Sequence, residues 1–218
     1  MSQRAPAAVP SGRGDSARGA VVRDKILRAT LDAVAERPIA DVQVRQVAEL
    51  VGVSVPRLLY YFPSKDILLR EVFRWSEDRL AEQREVELAD TDDPREQLAR
   101  FVALYLPTSA TDPSWKVWLD IWLRSPSDAD LRELSESFDD RWGSDLEAVV
   151  QAGIETGVFR DEGAAGFADW FTSLLEGLAV HVLTGRSTRG EVLTVALDRA
   201  GIALGADLGD ATALTARG

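Results

Sequence analysis

Arg57 sits among hydroxyl and cationic groups at close spacing, with Ser54 before it and Tyr60, Tyr61 and Lys65 after it. A guanidinium carries a planar fork of donors that matches the O6 and N7 acceptors of guanine, the commonest specific contact to a base edge. Hydroxyls, an ammonium and the unpaired N–H groups of a helix start suit phosphate oxygens instead. Ser54 and Lys65 are candidates for that second role. Tyr60 and Tyr61 can give a hydroxyl to phosphate or pack against sugar, and Val55, beside Pro56, can touch a thymine methyl. Upstream, Gln43, Val44 and Arg45 open a helix that would meet the opposite wall of the same groove.

These groups need a scaffold. Val44, Val47, Ala48 and Val51 recur at helical spacing, and Gly52 ends that helix by supplying a left-handed residue. Ser54 caps the next segment, where Leu58 and Phe62 lie one turn apart, so Arg57 points away from the buried face. Pro56 fits the second or third position of a helix beginning at Ser54, because that N–H has no intrahelical partner. Two short helices joined by a Gly-Val-Ser turn form the helix-turn-helix unit that lays its second helix in the DNA major groove. A preceding helix from about Val21 to Glu36 buries Ile26, Leu27, Thr30, Leu31 and Val34 and stops before Pro38, completing a three-helix head.

Charge is distributed to match. The chain has a formal net charge of −11, yet residues 1–74 hold 12 Lys and Arg against 8 Asp and Glu, and the remainder holds 13 against 28. Basic density in the head attracts phosphate, while an acidic body suppresses non-specific sticking. Zero Cys removes disulfides and thiolate metal sites, and a single His leaves no metal cluster, so neither cofactor nor metal is expected. No apolar run reaches the roughly 18 residues of a membrane span, and the Ala-, Pro- and Arg-rich start lacks the core of a signal peptide. A cytoplasmic protein is expected.

Past the turn at Pro63, Ser64 caps a long helix running to about Leu88, apolar early and charged later, the charged half reading as a solvated face. Helical patterns recur at Pro94–Leu106, Pro113–Leu123, Asp128–Glu155, Ala164–Leu183 and Arg189–Leu204, separated by Pro-, Gly- and Ser-containing breaks. The fold class is all-α, about nine helices: residues 1–19 as a disordered tail, 20–66 as the head, 67–205 as an effector-binding and dimerisation domain, and 206–218 as a frayed tail. Arg4, Arg13 and Arg18 fall in the first tail, where plain disorder is favoured over a minor-groove arm.

The run Tyr60-Tyr61-Phe62-Pro63-Ser64-Lys65-Asp66 brings the chain close to a known pattern. It resembles the tetracycline-repressor (TetR) family through Gly52, Val53, Ser54, Leu58, Tyr61, Phe62, Ser64, Lys65 and Leu68. It departs at Leu59, where the family usually has Tyr, and at Gln43, where a Ser or Thr usually caps. The motif resemblance covers roughly Arg23 to Leu69. It implies a ligand-responsive regulator, a repressor bound as a homodimer to a pseudo-palindromic double-stranded operator and released by a small-molecule effector. It also implies that the last two long helices of each subunit form a four-helix dimer interface, for which Ser173 and Gly177 permit close approach.

The body carries three aromatic stripes: Trp115, Trp118 and Trp122; Phe138 and Trp142, with Asp145 one turn on; and Phe167, Trp170 and Phe171, with Asp169 and Glu176 flanking. Most of these rings are core. Some can instead line a cavity in which aromatic faces and a carboxylate select a cation. Trp118, Trp122, Phe138, Trp142, Asp145, Trp170 and Glu176 are the candidate ligand residues, for an effector that is cationic or aromatic. The patterns Trp115–Trp122, Asp128–Leu134 and Leu174–His181 also resemble the choline-sensing betaine-repressor branch, which implies an effector pocket among these helices. Two rivals remain: an all-α enzyme using a carboxylate pair such as Asp169 and Glu176, and a helical adaptor whose helix-turn-helix binds protein. No catalytic motif favours the first.

Overall fold

A computed structural model describes residues 17–208. The expected tails at 1–16 and 209–218, with Arg4, Arg13 and the side chain of Arg18, lie outside the described residues. Among the described residues the chain forms nine α-helices and no strand: α1 (Ala17–Glu36), α2 (Val44–Val51), α3 (Val55–Tyr61), α4 (Lys65–Ala89), α5 (Pro94–Tyr105), α6 (Pro113–Arg124), α7 (Ala129–Glu155), α8 (Ala164–Leu183) and α9 (Arg189–Leu204). Helix α1 begins earlier than the expected Val21, inside the segment assigned to the tail. Two Ala and an Arg, all good helix formers, carry it past Gly19.

The helix starts are set by short polar side chains. Ser64 Oγ accepts from Ile67 N at 3.1 Å, and Thr188 with Glu191 closes a reciprocal capping box at α9. Asp112 does most. One of its oxygens accepts from the amides of Ser114 and Trp115, and the other from the amide and hydroxyl of Thr108, fixing the loop ahead of α6. Gly153 has a packing reason: a Cβ there would sit 2.0 Å from the Phe159 ring.

In the head, α1 packs on α2 and α4, and α2 packs on α3. In the body, α7 packs on α5 and α8, and α9 on α5 and α8. Helix α4 joins the two, burying Leu68, Leu69, Val72 and Phe73, and its start at Lys65 places the expected 66/67 domain boundary inside a continuous helix. Helix α6 is a second joint, because it packs directly on α1. Its Lys116 reaches the end of α1 and donates to the carbonyls of Val34 and Ala35 at 3.0 and 2.8 Å. Those carbonyls lack intrahelical partners and carry the negative end of the helix dipole, so the ammonium satisfies both needs. Arg124 at the other end of α6 pairs with Asp66 at 3.1 Å.

Candidate functional site

The head builds its presenting surface from the turn outward. Gly52 closes α2 with φ 70° and ψ 33°, a left-handed geometry that a Cβ would strain, and Val53 N then donates to Ala48 O at 2.9 Å. Ser54 Oγ accepts from Arg57 N at 3.3 Å, capping α3, and Pro56 takes the second helical position where no amide is required. Leu58 and Phe62 are buried, so α3 turns Arg57 and Tyr60 to solvent. Tyr60 is 82% exposed and meets Tyr61 edge-on at 5.5 Å. Arg57's guanidinium has no partner among the described residues, which leaves its whole donor fork free.

Other expected contact residues are more committed. Gln43 stands at the N-cap of α2 in extended conformation without a side-chain hydrogen bond, the consequence of a side chain too long to cap. Arg45 is exposed and paired with Glu49 at 2.9 Å, while Val44 and Val55 are half-buried against the head core. Lys65 is not the free cation its sequence position suggests. Its ammonium donates to Ile39 O and Ala40 O at 2.7 and 2.8 Å, pinning the turn ahead of α2 to the start of α4. One N–H of three remains.

In the body a cavity of about 190 Å³ opens among α4, α5, α6 and α7. At its centre is Glu77, nearly fully buried, whose two carboxylate oxygens accept from the indole N–H groups of Trp118 at 2.6 Å and Trp142 at 3.0 Å. Burial raises the Glu77 pKa, and the two indole donors and Arg84 act against that rise. Asp139 lines the same cavity and is pushed up to about 7, first by burial and then by the negative charges of Glu176 and Glu77. Aromatic rings line the cavity along with these two acids. Tyr105 lies 5.0 Å from Trp142, Trp118 lies 5.3 Å from Trp122, and Trp115 anchors its Nε1 on Tyr105 O at 3.0 Å.

Of the expected ligand residues, Trp118, Trp122 and Trp142 line the cavity together. Phe138 stands behind them in the core, edge-on to Phe73 at 5.2 Å. Asp145 acts from behind Trp142: it binds Arg84 at 2.5 Å, and the Arg84 guanidinium lies 3.7 Å from the centre of the Trp142 ring. Glu176 stands one residue back, hydrogen-bonded to the Tyr105 side chain, and burial raises its pKa. Trp170 is not brought to the cavity. It is 42% exposed on α8, stacked edge-on against Phe167 at 5.0 Å. Asp169, the other half of the rival carboxylate pair, is exposed on the same helix.

Sequence reading missed Glu77, Tyr105, Trp115 and Asp139. Glu77 was hidden by its setting in the charged half of α4, which reads as solvated. A signal was there: Phe73, Glu77, Leu80 and Arg84 follow one another at spacings of four, three and four, the continuation of the buried stripe.

The cavity holds cations of its own, but they are spent. Arg189 donates to the carbonyls of Ala103, Leu106 and Pro107 at 2.6–2.8 Å. Arg100 is held by Glu96, Asp90 and the Glu87 carbonyl. The surplus chemistry is therefore acid and aromatic, the combination that stabilises a cation against ring faces.

Both parts of the chain match known protein families. Residues 26–72 match the model of bacterial regulatory proteins of the tetR family, and residues 94–203 match the BetI-type transcriptional repressor C-terminal domain. The HTH-type transcriptional regulator BetI of Ectopseudomonas mendocina is 28% identical over 185 residues, 82% of this chain and 94% of that protein. BetI of Stenotrophomonas maltophilia is 32% identical over 132 residues, covering 58% of this chain and 65% of that protein. A crystal structure of a transcriptional regulator from Saccharomonospora viridis in complex with choline superposes with TM-score 0.74 at 32% identity, covering 82% of this chain and 95% of that one. Among the described residues no helix is long and apolar enough to cross a membrane. The chain belongs to the TetR family of bacterial regulatory proteins, with a BetI-type C-terminal domain, and is a ligand-responsive DNA-binding regulator of transcription, not an enzyme.

Proposed function

We propose that the chain is a cytoplasmic homodimeric repressor of a pseudo-palindromic operator, released when a quaternary ammonium compound occupies the Glu77 cavity. The observation that carries the effector class is Glu77 itself: a buried carboxylate gripped by two indoles, with Asp139 lining the same cavity and the lining cations Arg100 and Arg189 already held by carboxylates and carbonyls. A quaternary ammonium donates no hydrogen bonds, so ring faces and distributed negative charge are what it needs. The choline complex of the Saccharomonospora viridis relative supports the same class. A trimethylammonium compound that also carries a carboxylate would find Arg100 and Arg189 already taken, and should bind less well than choline.

At the DNA, Arg57 reads a base edge from α3. Ser54, Tyr60 and Tyr61 hold phosphate, and Gln43, Val44 and Arg45 meet the opposite groove wall. Lys65 contributes by fixing the α2–α4 geometry, with its one spare N–H toward phosphate. Two such heads are needed because one short helix buries little surface, and half-sites about one turn apart multiply discrimination. The exposed apolar groups on α8 and α9, Trp170, Val180, Val195 and Ile202, support pairing of those helices between subunits.

Release works by population shift: the effector must bind one arrangement of head and body better than the other. Trp115 and Trp118 of the cavity flank Lys116, so a shift of α6 acts on α1 directly as well as through α4. Titrating choline into the protein while following tryptophan fluorescence tests the site. Saturable quenching is expected, and it should be lost in Glu77→Gln. Fluorescence unaffected by choline and by a panel of other quaternary amines would defeat the effector reading and leave the DNA-binding reading in place.

A further inference from the structure

A second, wider hollow of about 550 Å³ lies beside the cage, between α1 and α4. Leu31 of α1 and Trp75, Leu80 and Val86 of α4 give it apolar walls, and Val86 is left 70% exposed there. The two spaces share a rim of Leu80, Gln83, Glu87 and Ser114. On that rim Gln83 donates to Glu87 at 3.1 Å, a contact between flexible side chains one turn apart on a single helix. One cation and two carboxylates line the hollow, Arg79, which lies 5.0 Å over the Trp75 ring, against Glu82 and Glu87, so an anionic occupant is disfavoured. The hollow asks for an uncharged apolar occupant.

We propose that the effector is amphiphilic, with its quaternary ammonium head in the Glu77 cage and an uncharged chain of several carbons crossing the Gln83–Ser114 rim to lie against Leu31 and Val86. The proposal rests on the cationic-head reading and extends it to ligand size. A chain in the hollow touches α1, so it presses on the DNA-binding head without an intermediary, whereas choline alone reaches the head only through α6 and α4.

Calorimetric titration of the full-length dimer with choline and with its butyryl, hexanoyl and octanoyl esters tests this. Full burial of a methylene strengthens binding roughly fourfold, so a half-open hollow should give roughly twofold per carbon up to about six carbons. Val86→Glu, a surface change that spares folding, should abolish the gain and leave choline affinity unchanged. Leu31→Gln should do the same from the α1 side. Choline binding with no improvement for any ester overturns the proposal and leaves the cage standing. A chain gain that both variants preserve also overturns it, since the chain then lies elsewhere. Absence of binding by choline and all esters overturns the cage reading and this proposal with it.

Discussion

In the head, two candidate contact groups stand in solvent, Arg57 without a partner among the described residues and Tyr60 82% exposed, whereas Arg45 is paired with Glu49 and Lys65 is held by two carbonyls. In the body the same residue types are consumed. Arg84, Arg100 and Arg189 are tied to carboxylates or carbonyls, and Trp115, Trp118 and Trp142 all spend their indole N–H on the protein. The difference follows from what each region must recognise. A polyanion brings its own charge and competes in water, so the head needs uncommitted donors at an exposed edge. On the proposed reading, a small cation without N–H groups must be held by fixed fields, so the body would need rings and acids locked in place before it arrives.

The comparison can be broken at either end. The largest effect is expected for Arg57→Ala. A bidentate base contact is worth about 1–3 kcal/mol, and in the proposed dimer two heads would lose it together, so affinity for a selected duplex should fall on the order of 100-fold. Choline binding should not change. Comparing bound fragments from a random duplex pool for both proteins checks this. Glu77→Gln is the mirror case. It keeps one acceptor oxygen, enough for one of the two indoles, turns a donor toward the other, and removes a charge whose attraction at close range is up to about 4 kcal/mol; Asp139 stays, so a loss of roughly 100-fold for choline is expected with duplex affinity intact. Calorimetry at one salt concentration reads it directly.

A smaller, signed effect comes from pH. Folded Asp139 holds its proton up to about 7, whereas an unfolded Asp releases it near 3.8. Folding stability should therefore fall as pH rises between those values, because the native state binds the extra proton. A cation favours the ionised form, so choline affinity should rise roughly tenfold between pH 6 and 8 and flatten above, with uptake of ligand releasing a proton. In Asp139→Asn that slope should vanish. The mildest change is Lys116→Met. It removes a cation from the end of α1 and should cost about 1 kcal/mol in thermal unfolding. Choline should still bind, but its ability to displace DNA should weaken several-fold, which a gel-shift titration measures.

Much of this was legible in the sequence because the governing physics is local. Gly52 declares its left-handed geometry, Ser54 and Ser64 declare helix starts, and the Leu58–Phe62 spacing decides which side Arg57 takes. The long helices beginning at Ala164 and Arg189 were readable to the residue for the same reason. The cavity was legible only in part. Trp118, Trp122 and Trp142 announced themselves, but Glu77, which binds two of them, is a charged residue in a charged stretch that is buried by helices distant in sequence. Trp170 has the same composition around it and ends on the outside of α8. Lys65 shows the reverse failure, since its partners Ile39 and Ala40 lie 26 and 25 residues away. Long-range partners are what composition and periodicity do not carry.

The most direct test is to measure the affinity of the protein for a selected operator duplex with and without saturating choline, for the native chain and for Glu77→Gln. Coupling between sites is typically about 1–3 kcal/mol, so duplex affinity of the native protein should drop roughly 5- to 150-fold, and the variant should show no drop. Native protein that binds choline while holding its duplex with unchanged affinity would contradict the account.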